Sequence, residues 1–404
     1  MSDTALRSTL PSPRTVRPPL PAPPGPRGRP PRLYVLDGLR LIAALMVVGF
    51  HFAGYDRYGD HGAWGQSTAT LFPGVHGIAS YGWLGVELFF LISGFVICMS
   101  CWGRTPRDFF ISRVVRLYPA FWVCVTATAL VLWFCGDRTI TLSRVLTNLT
   151  MVHEPLGVAH VDPSYWSLWA EMRFYLLFAV VAYKGLTYRR VVTFCGLWLL
   201  GAILAPTSGI PLLAVVFQPQ FAPFFVGGIV LYLMHRFRPA PLLWLLLGAS
   251  WLLAQQQLVR LVKDENWAGL HPSWPVALTV VTAFYAVLLA VALGKADFLN
   301  WRRLTTAGAL TYPLYLLHES IGWAVIERLH TRIPAHLLMA GLVAALLAAA
   351  WAVHRFVERP LARRLKHWLN GNLATPRPTP VTGSRTTPAP GSVAARQDVM
   401  PPPR

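Results

Sequence analysis

Ten stretches of the chain are long, apolar and almost free of charge: roughly 38–56, 82–101, 117–135, 165–183, 190–206, 212–234, 241–258, 275–294, 308–328 and 335–357. Each approaches the ~20 residues a helix needs to cross a hydrocarbon core of about 30 Å. Inside that core the backbone finds no water, so a spanning segment must satisfy its own polar groups, as a helix does. The pattern predicts an all-α fold, a polytopic transmembrane helical bundle of about ten spans. The connecting loops alternate in charge. One set holds Arg104, Arg107, Arg113 and Arg116, then Lys184, Arg189 and Arg190, then Arg236 and Arg238, then Lys295, Arg302 and Arg303. The opposite set holds half as many: Arg57, Arg138, Arg144, Arg260, Lys263 and Arg332. Both tails join the more basic set, so the positive-inside bias puts both termini in the cytoplasm, in keeping with an even number of spans.

Composition agrees. Of 404 residues, 54% are hydrophobic and 13% charged, a balance that leaves a soluble chain of this size too little polar surface. A net charge of +19 could point to nucleic acid, but much of it lies in the tails and alternate loops, where it sets topology. The implied partner is the lipid bilayer, with no nucleic acid. Residues 1–31 hold ten prolines and five arginines, and eight more prolines follow Gly371. That composition predicts disordered tails over 1–36 and 361–404 around a membrane domain at 37–360. No apolar stretch precedes Leu41, so the N-terminal tail does not read as an export signal. Cys98 and Cys101 form a CxxC without a second pair, which reads as small packing residues.

The candidate chemistry starts in the first span, DGLRLIAALMVVGFH from Asp37 to His51. Arg40 and His51 are eleven residues apart, so they differ by only about 20° in azimuth and by about 16 Å along the axis. Asp37 lies close to the same face. An anion-binding guanidinium at the membrane rim and an imidazole near mid-bilayer form a polar track, and an ionisable group at that depth is a functional-site hypothesis.

Other polar groups enter the membrane. Glu87 and Ser93-Gly94 lie in GVELFFLISGF; packing accounts for Ser93-Gly94, and Ser93 can bond across helices. Glu171, in SYWSLWAEMRFYL, sits about 10 Å below the outer interface by helical rise, where it can orient or charge an imidazole such as His51. Arg113 and Arg116 share a face before the third span. Membrane anchoring explains them, and so does a phosphate clamp with Arg40. Tyr312, Tyr315 and His318 share one face of GALTYPLYLLHES, for which interhelical hydrogen bonding is the simplest reading. Glu358 reads as a surface partner for arginines. The outer loops add Asp60, His61, His76, Asp137, His153, Glu154, His160 and Asp162, but without HxxxH or HExxH spacing no metal is expected.

In chain order, DGLRLIAALMVVGFH, GVELFFLISGF, the R-x-x-R-L-x-P of Arg113 to Pro119, YWSLWAE, TYPLYLLH and FVERP resemble the membrane acyltransferase-3 family of bacterial integral-membrane O-acyltransferases. The resemblance covers about 37–360. It implies that Arg40 and His51 are essential, that cytoplasmic acyl-CoA is the donor and that a hydroxyl is the acceptor. Ser93, Arg116, Glu171 and His318 fall on motif positions. Two places depart: Ser112-Arg113 stands where paired arginines are usual, and AEMRFYL stands where the family often has VEEQFYL.

The expectation is therefore an O-acyltransferase of the bacterial cytoplasmic membrane with no tightly bound cofactor. Arg40, Arg113 and Arg116 hold acyl-CoA, with acetyl-CoA the expected donor. His51 and Glu171 are the catalytic groups, supported by Asp37, Ser93 and His318. His51 acts as general base or is itself acylated. The acceptor is a carbohydrate, either an exported polysaccharide or a secondary-metabolite sugar such as a macrolide's. The rival reading is a transporter or flippase that uses the same buried groups without acyl transfer; the absence of an evident internal repeat weighs against it.

Overall fold

The computed structural model describes residues 33–56, 62–263, 272–299 and 301–372. The tails at 1–32 and 373–404, and with them Arg57, Asp60 and His61, lie outside the described residues. Nine of the ten apolar stretches are essentially continuous helix, and that at 212–234 is broken at Gln218, in left-handed conformation, into a short helix Pro211–Phe217 and a long one. They form α1 (Tyr34–Gly49), α2 (Gly85–Cys101), α3 (Pro106–Phe134), α4 (Trp166–Tyr183), α5 (Tyr188–Leu204), α6 (Ala222–Phe237), α7 (Pro241–Lys263), α8 (Trp274–Ala292), α9 (Leu304–Leu329) and α10 (Ala335–Ala352). Among the described residues, eight helices are long and apolar enough to cross a membrane. The two that fall short in apolar character, α4 and α9, carry Glu171 and the His318-Glu319 pair. Polar groups concentrate on the helices that build the site.

Local signals start the helices. Thr105 accepts the backbone N–H of Asp108 and Pro106 occupies the first turn, so α3 begins well before its apolar span and runs 29 residues. At about 1.5 Å per residue that is about 43 Å, longer than the hydrocarbon core, which leaves Arg113 and Arg116 near its rim. α1 ends in a π-helical turn, Phe50–Gly54, and α10 in another, Val353–Glu358. Such turns widen the helix and often mark functional positions; here one carries His51 and the other His354 and Glu358.

After the second π turn the chain continues as α11 (Arg359–Asn372), which packs on α3. This stretch was expected to open a disordered tail, but Leu369 is buried and the Asn370 carbonyl accepts from Arg107. Arginines on one face and Leu369 on the other are an amphipathic pattern, which composition alone conceals.

Glycines decide which helices touch. A Cβ on Gly94 would lie 2.0 Å from the Phe225 carbonyl oxygen, and one on Gly228 would lie 1.9 Å from that of Leu91, so α2 and α6 cross backbone to backbone. Behind this crossing Phe174, Trp198 and Phe225 stack, with Phe174 and Phe225 centroids 4.3 Å apart. On the other side Gly308 receives the Asp37 side chain and Gly322 receives the Phe52 ring. α1 and α9 therefore run alongside one another from Asp37 to Phe52, and this pairing carries His51 to His318.

Candidate active site

Five of the expected residues line one cavity. Arg40, Arg113, Arg116, Ser93 and Glu171 face a space of about 250 Å³ between α1, α2, α3, α4 and α9. Its walls extend from Val86 to Val96 on α2, from Ser167 to Tyr175 on α4 and from Gly308 to Tyr315 on α9. By helical rise those intervals are about 10–15 Å, so the cavity is elongated. The arginines gather at one end, with Tyr175 and Val96. Val86, Ser167 and Tyr315 form the other.

The three arginines are held differently. Arg116 pairs with Glu358 at 2.5 Å, and His354 Nδ1 contacts the other carboxylate oxygen at 2.8 Å. Glu358 is thus the arginine partner expected, but it is buried at 5% exposure rather than on the surface, because the π turn rotates it inward. Arg113 stacks near the Phe109 and Tyr175 rings, and among the described residues its one hydrogen-bond partner is Ser112 at 3.4 Å. Arg40 makes no hydrogen bond or ion pair with any described residue, although it lies within electrostatic reach of Arg116, Asp37 and Glu171. A guanidinium that faces a cavity with its N–H donors unpaired by any described residue is suited to an anionic ligand.

Glu171 does not orient His51. Its carboxylate accepts the Ser93 hydroxyl at 2.5 Å, which gives Ser93 a polar partner while Gly94 beside it does the packing. The acid at His51 is Glu319, with its oxygen 3.7 Å from Nε2. Arg173 points away from the cavity to the Val215 carbonyl and the Trp169 ring.

His51 itself is not in the cavity wall. Its Nδ1 lies 3.0 Å from His318 Nε2, and its backbone carbonyl accepts the Trp323 indole N–H. His318 is fully buried, and its Nδ1 lies 2.7 Å from the Tyr315 carbonyl oxygen. These bonds select tautomers. A carbonyl can only accept, so His318 Nδ1 carries the hydrogen and its Nε2, when neutral, must accept. His51 Nδ1 then donates, which puts the basic lone pair of neutral His51 on Nε2, toward Glu319. His51, His318 and Glu319 have ligand-type atoms within 4.8 Å of one another. The two facing nitrogens, 3.0 Å apart, are at hydrogen-bond distance, so a single proton lies between them. The route between cavity and imidazoles is short: Tyr315 lines the cavity, and His318 is one turn further along α9.

A family profile described as an acyltransferase domain matches residues 33–355. The chain belongs to the acyltransferase-3 family. It is 26% identical over 383 residues to acyltransferase MdmB of Streptomyces mycarofaciens, covering 83% of this chain and 92% of the relative. It is 26% identical over 330 residues to nodulation protein 10 of Rhizobium leguminosarum bv. viciae, 71% and 84% of the two chains. It is 28% identical over 305 residues to the exopolysaccharide production protein ExoZ of Rhizobium meliloti, 70% and 90%. No solved structure matches. As an acyltransferase-3 protein the chain is a membrane-embedded O-acyltransferase, and the family match spans both the arginine-lined cavity and the imidazole pair.

The sequence marked Glu319 as an ionisable group near mid-span but not as a partner of His51, and it did not mark Asp162 as a buried group. Glu319 follows His318 directly, and adjacent helical residues diverge by about 100°, so nothing local indicated that both reach His51. Asp162 read as one more acid of an outer loop, yet it is fully buried.

Proposed function

We propose that the protein transfers an acyl group, acetyl in the first instance, from acyl-CoA to a hydroxyl of a carbohydrate, at the bacterial cytoplasmic membrane. The observation that carries this reading is the order of groups along one path. Three arginines stand at one end of an elongated cavity, and a hydrogen-bonded imidazole pair stands one helical turn beyond the other. Arg40 and Arg113, with Arg116 tempered by Glu358, hold the donor's phosphates from the cytoplasmic side. The slender arm carrying the thioester occupies the cavity and brings the acyl carbon to Tyr315. His51 Nε2 takes the proton of the acceptor hydroxyl as its oxygen attacks the thioester carbonyl, and the thiolate leaves.

The proton acquired by His51 is stabilised from two sides. Nδ1–H still donates to His318, which is held by the Tyr315 carbonyl, and the new Nε2–H faces the Glu319 carboxylate. At 3.7 Å that contact is too long for a hydrogen bond in the resting state, and it gains value only as positive charge develops. General-base catalysis commonly contributes about 10²–10⁴ in rate. The exopolysaccharide production protein among the relatives favours a polysaccharide acceptor.

The test is transfer of label from [¹⁴C]acetyl-CoA to exopolysaccharide from a deletion strain, by purified wild-type and His51→Ala protein. We expect His51→Ala to stay folded and to lose at least 10²-fold in turnover. Wild-type turnover in His51→Ala would refute the base assignment. Export of the acceptor by wild-type protein without any need for acyl-CoA would refute acyl transfer altogether.

A further inference from the structure

Beside the imidazole pair, a short turn from the preceding outer loop is bolted onto α9. Pro163–Tyr165 forms one 3-10 turn, capped by Asp162. One oxygen of the Asp162 carboxylate accepts the Ser164 backbone N–H at 3.0 Å and the Ser164 hydroxyl at 2.6 Å. The other accepts the backbone N–H of Ser320, in the middle of α9, at 2.9 Å. The Tyr165 hydroxyl donates to the Leu316 carbonyl at 3.2 Å. Leu316 C=O and Ser320 N–H are the two ends of a single rung of the α9 ladder, and His318 and Glu319 lie between them.

A mid-helix N–H has a partner four residues back and does not need a side chain. Here both ends of one rung are engaged from outside, at the residues that meet His51. Asp162 and Tyr165 are themselves fully buried. Asp162 forms no ion pair with any described residue, so an isolated carboxylate is kept close to the imidazoles. Burial of such a charge is costly unless it is hydrogen-bonded, and its three accepted bonds supply that. A capping role alone would use one oxygen; the second is spent on α9.

We infer that Asp162 is a positioning residue for acyl transfer, acting through Ser320 N–H to hold His318 and Glu319 in register with His51, with Tyr165 gripping the other end of the same rung. The inference rests on the assignment of His51 as the base. Through this grip the loop on the outer side of the bundle sets where the His318 and Glu319 side chains point. Slippage of α9 by a fraction of a turn would lengthen the 3.0 Å His51–His318 bond and leave the tautomer of His51 unselected.

The experiment compares Asp162→Asn and Tyr165→Phe with wild type in purified, monodisperse protein, by initial rates of thiol release from acetyl-CoA with exopolysaccharide as acceptor. We expect Asp162→Asn to lower kcat at least tenfold with KM for acetyl-CoA unchanged within twofold, since neither residue lines the donor cavity. Tyr165→Phe, which removes a single hydroxyl, should lower kcat about threefold and decides the matter if Asp162→Asn does not fold. In a His318→Ala background the Asp162→Asn factor should shrink, because only Glu319 is left to position; a merely structural role would keep it whole. Wild-type kcat in both variants, a rise confined to KM, or an undiminished factor in the His318→Ala background would overturn the proposal. If instead His51→Ala retains turnover, the base assignment has failed, and that result is read separately.

Discussion

His318 offers the sharpest test of how the site works, because its effect passes through a single atom. His318 Nε2 accepts from His51 Nδ1 at 3.0 Å, and its own Nδ1–H is anchored on the Tyr315 carbonyl at 2.7 Å. His318→Ala removes the acceptor, so His51 loses the bond that keeps its lone pair on Nε2 and that strengthens as the ring becomes cationic. A hydrogen bond to a charged group is worth about 1.5–3 kcal/mol. At about 1.4 kcal/mol per tenfold, kcat should fall by about 10–150-fold. KM for acetyl-CoA should not move, since His318 is outside the arginine-lined cavity. His318→Gln retains a carbonyl acceptor and should recover most of the loss. Initial rates of thiol release from acetyl-CoA, with exopolysaccharide as acceptor, separate the two constants. An unchanged kcat in His318→Ala, or a loss seen only in KM, would show that the tautomer argument is wrong.

Three further outcomes follow from named contacts. Arg40→Gln should raise KM for acetyl-CoA about tenfold or more with little change in kcat, because its guanidinium faces the cavity and makes no hydrogen bond or ion pair with any described residue; isothermal titration with CoA alone checks it. Gly94→Ala should destabilise the α2–α6 crossing by about 1–3 kcal/mol, since the new methyl meets the Phe225 carbonyl oxygen, and would be seen as a lower melting temperature in detergent. The third concerns His153 and His160, which face one another at 2.6 Å in the loop before α4. Burial, with the neighbouring imidazole adding to it, lowers His153 to about 4, and burial also lowers His160. These rings stay neutral in the folded loop but protonate when it opens. The loop's stability is therefore full above about 6.5 and declines as pH falls toward about 4. Limited proteolysis within 141–162 should quicken between pH 7 and pH 5, and equal rates at both would contradict the assignment.

Much of this protein was legible in one dimension. Runs of apolar residues are local and their lengths are matched to a bilayer, so the helices followed from sequence, as did the placing of Arg40 and His51 on one helix and of Arg113 and Arg116 on another. Relations within a helix depend only on its pitch and rise, and pitch and rise are nearly universal. Which helix meets which is a different kind of question. It was answered by glycines that admit a neighbour's backbone or ring, Gly94 and Gly228 on one side and Gly308 and Gly322 on the other, and by π turns that rotate His51 and Glu358 off the expected azimuth. Tertiary packing alone therefore decided that Glu319 rather than Glu171 accompanies His51, that the imidazole stands past the end of the arginine-lined cavity, and that Asp162 grips α9 from the loop before α4. The physical reason is range: hydropathy and helical pitch act over neighbouring residues, whereas a hydrogen bond between positions 267 residues apart exists only once the backbones that carry them have packed.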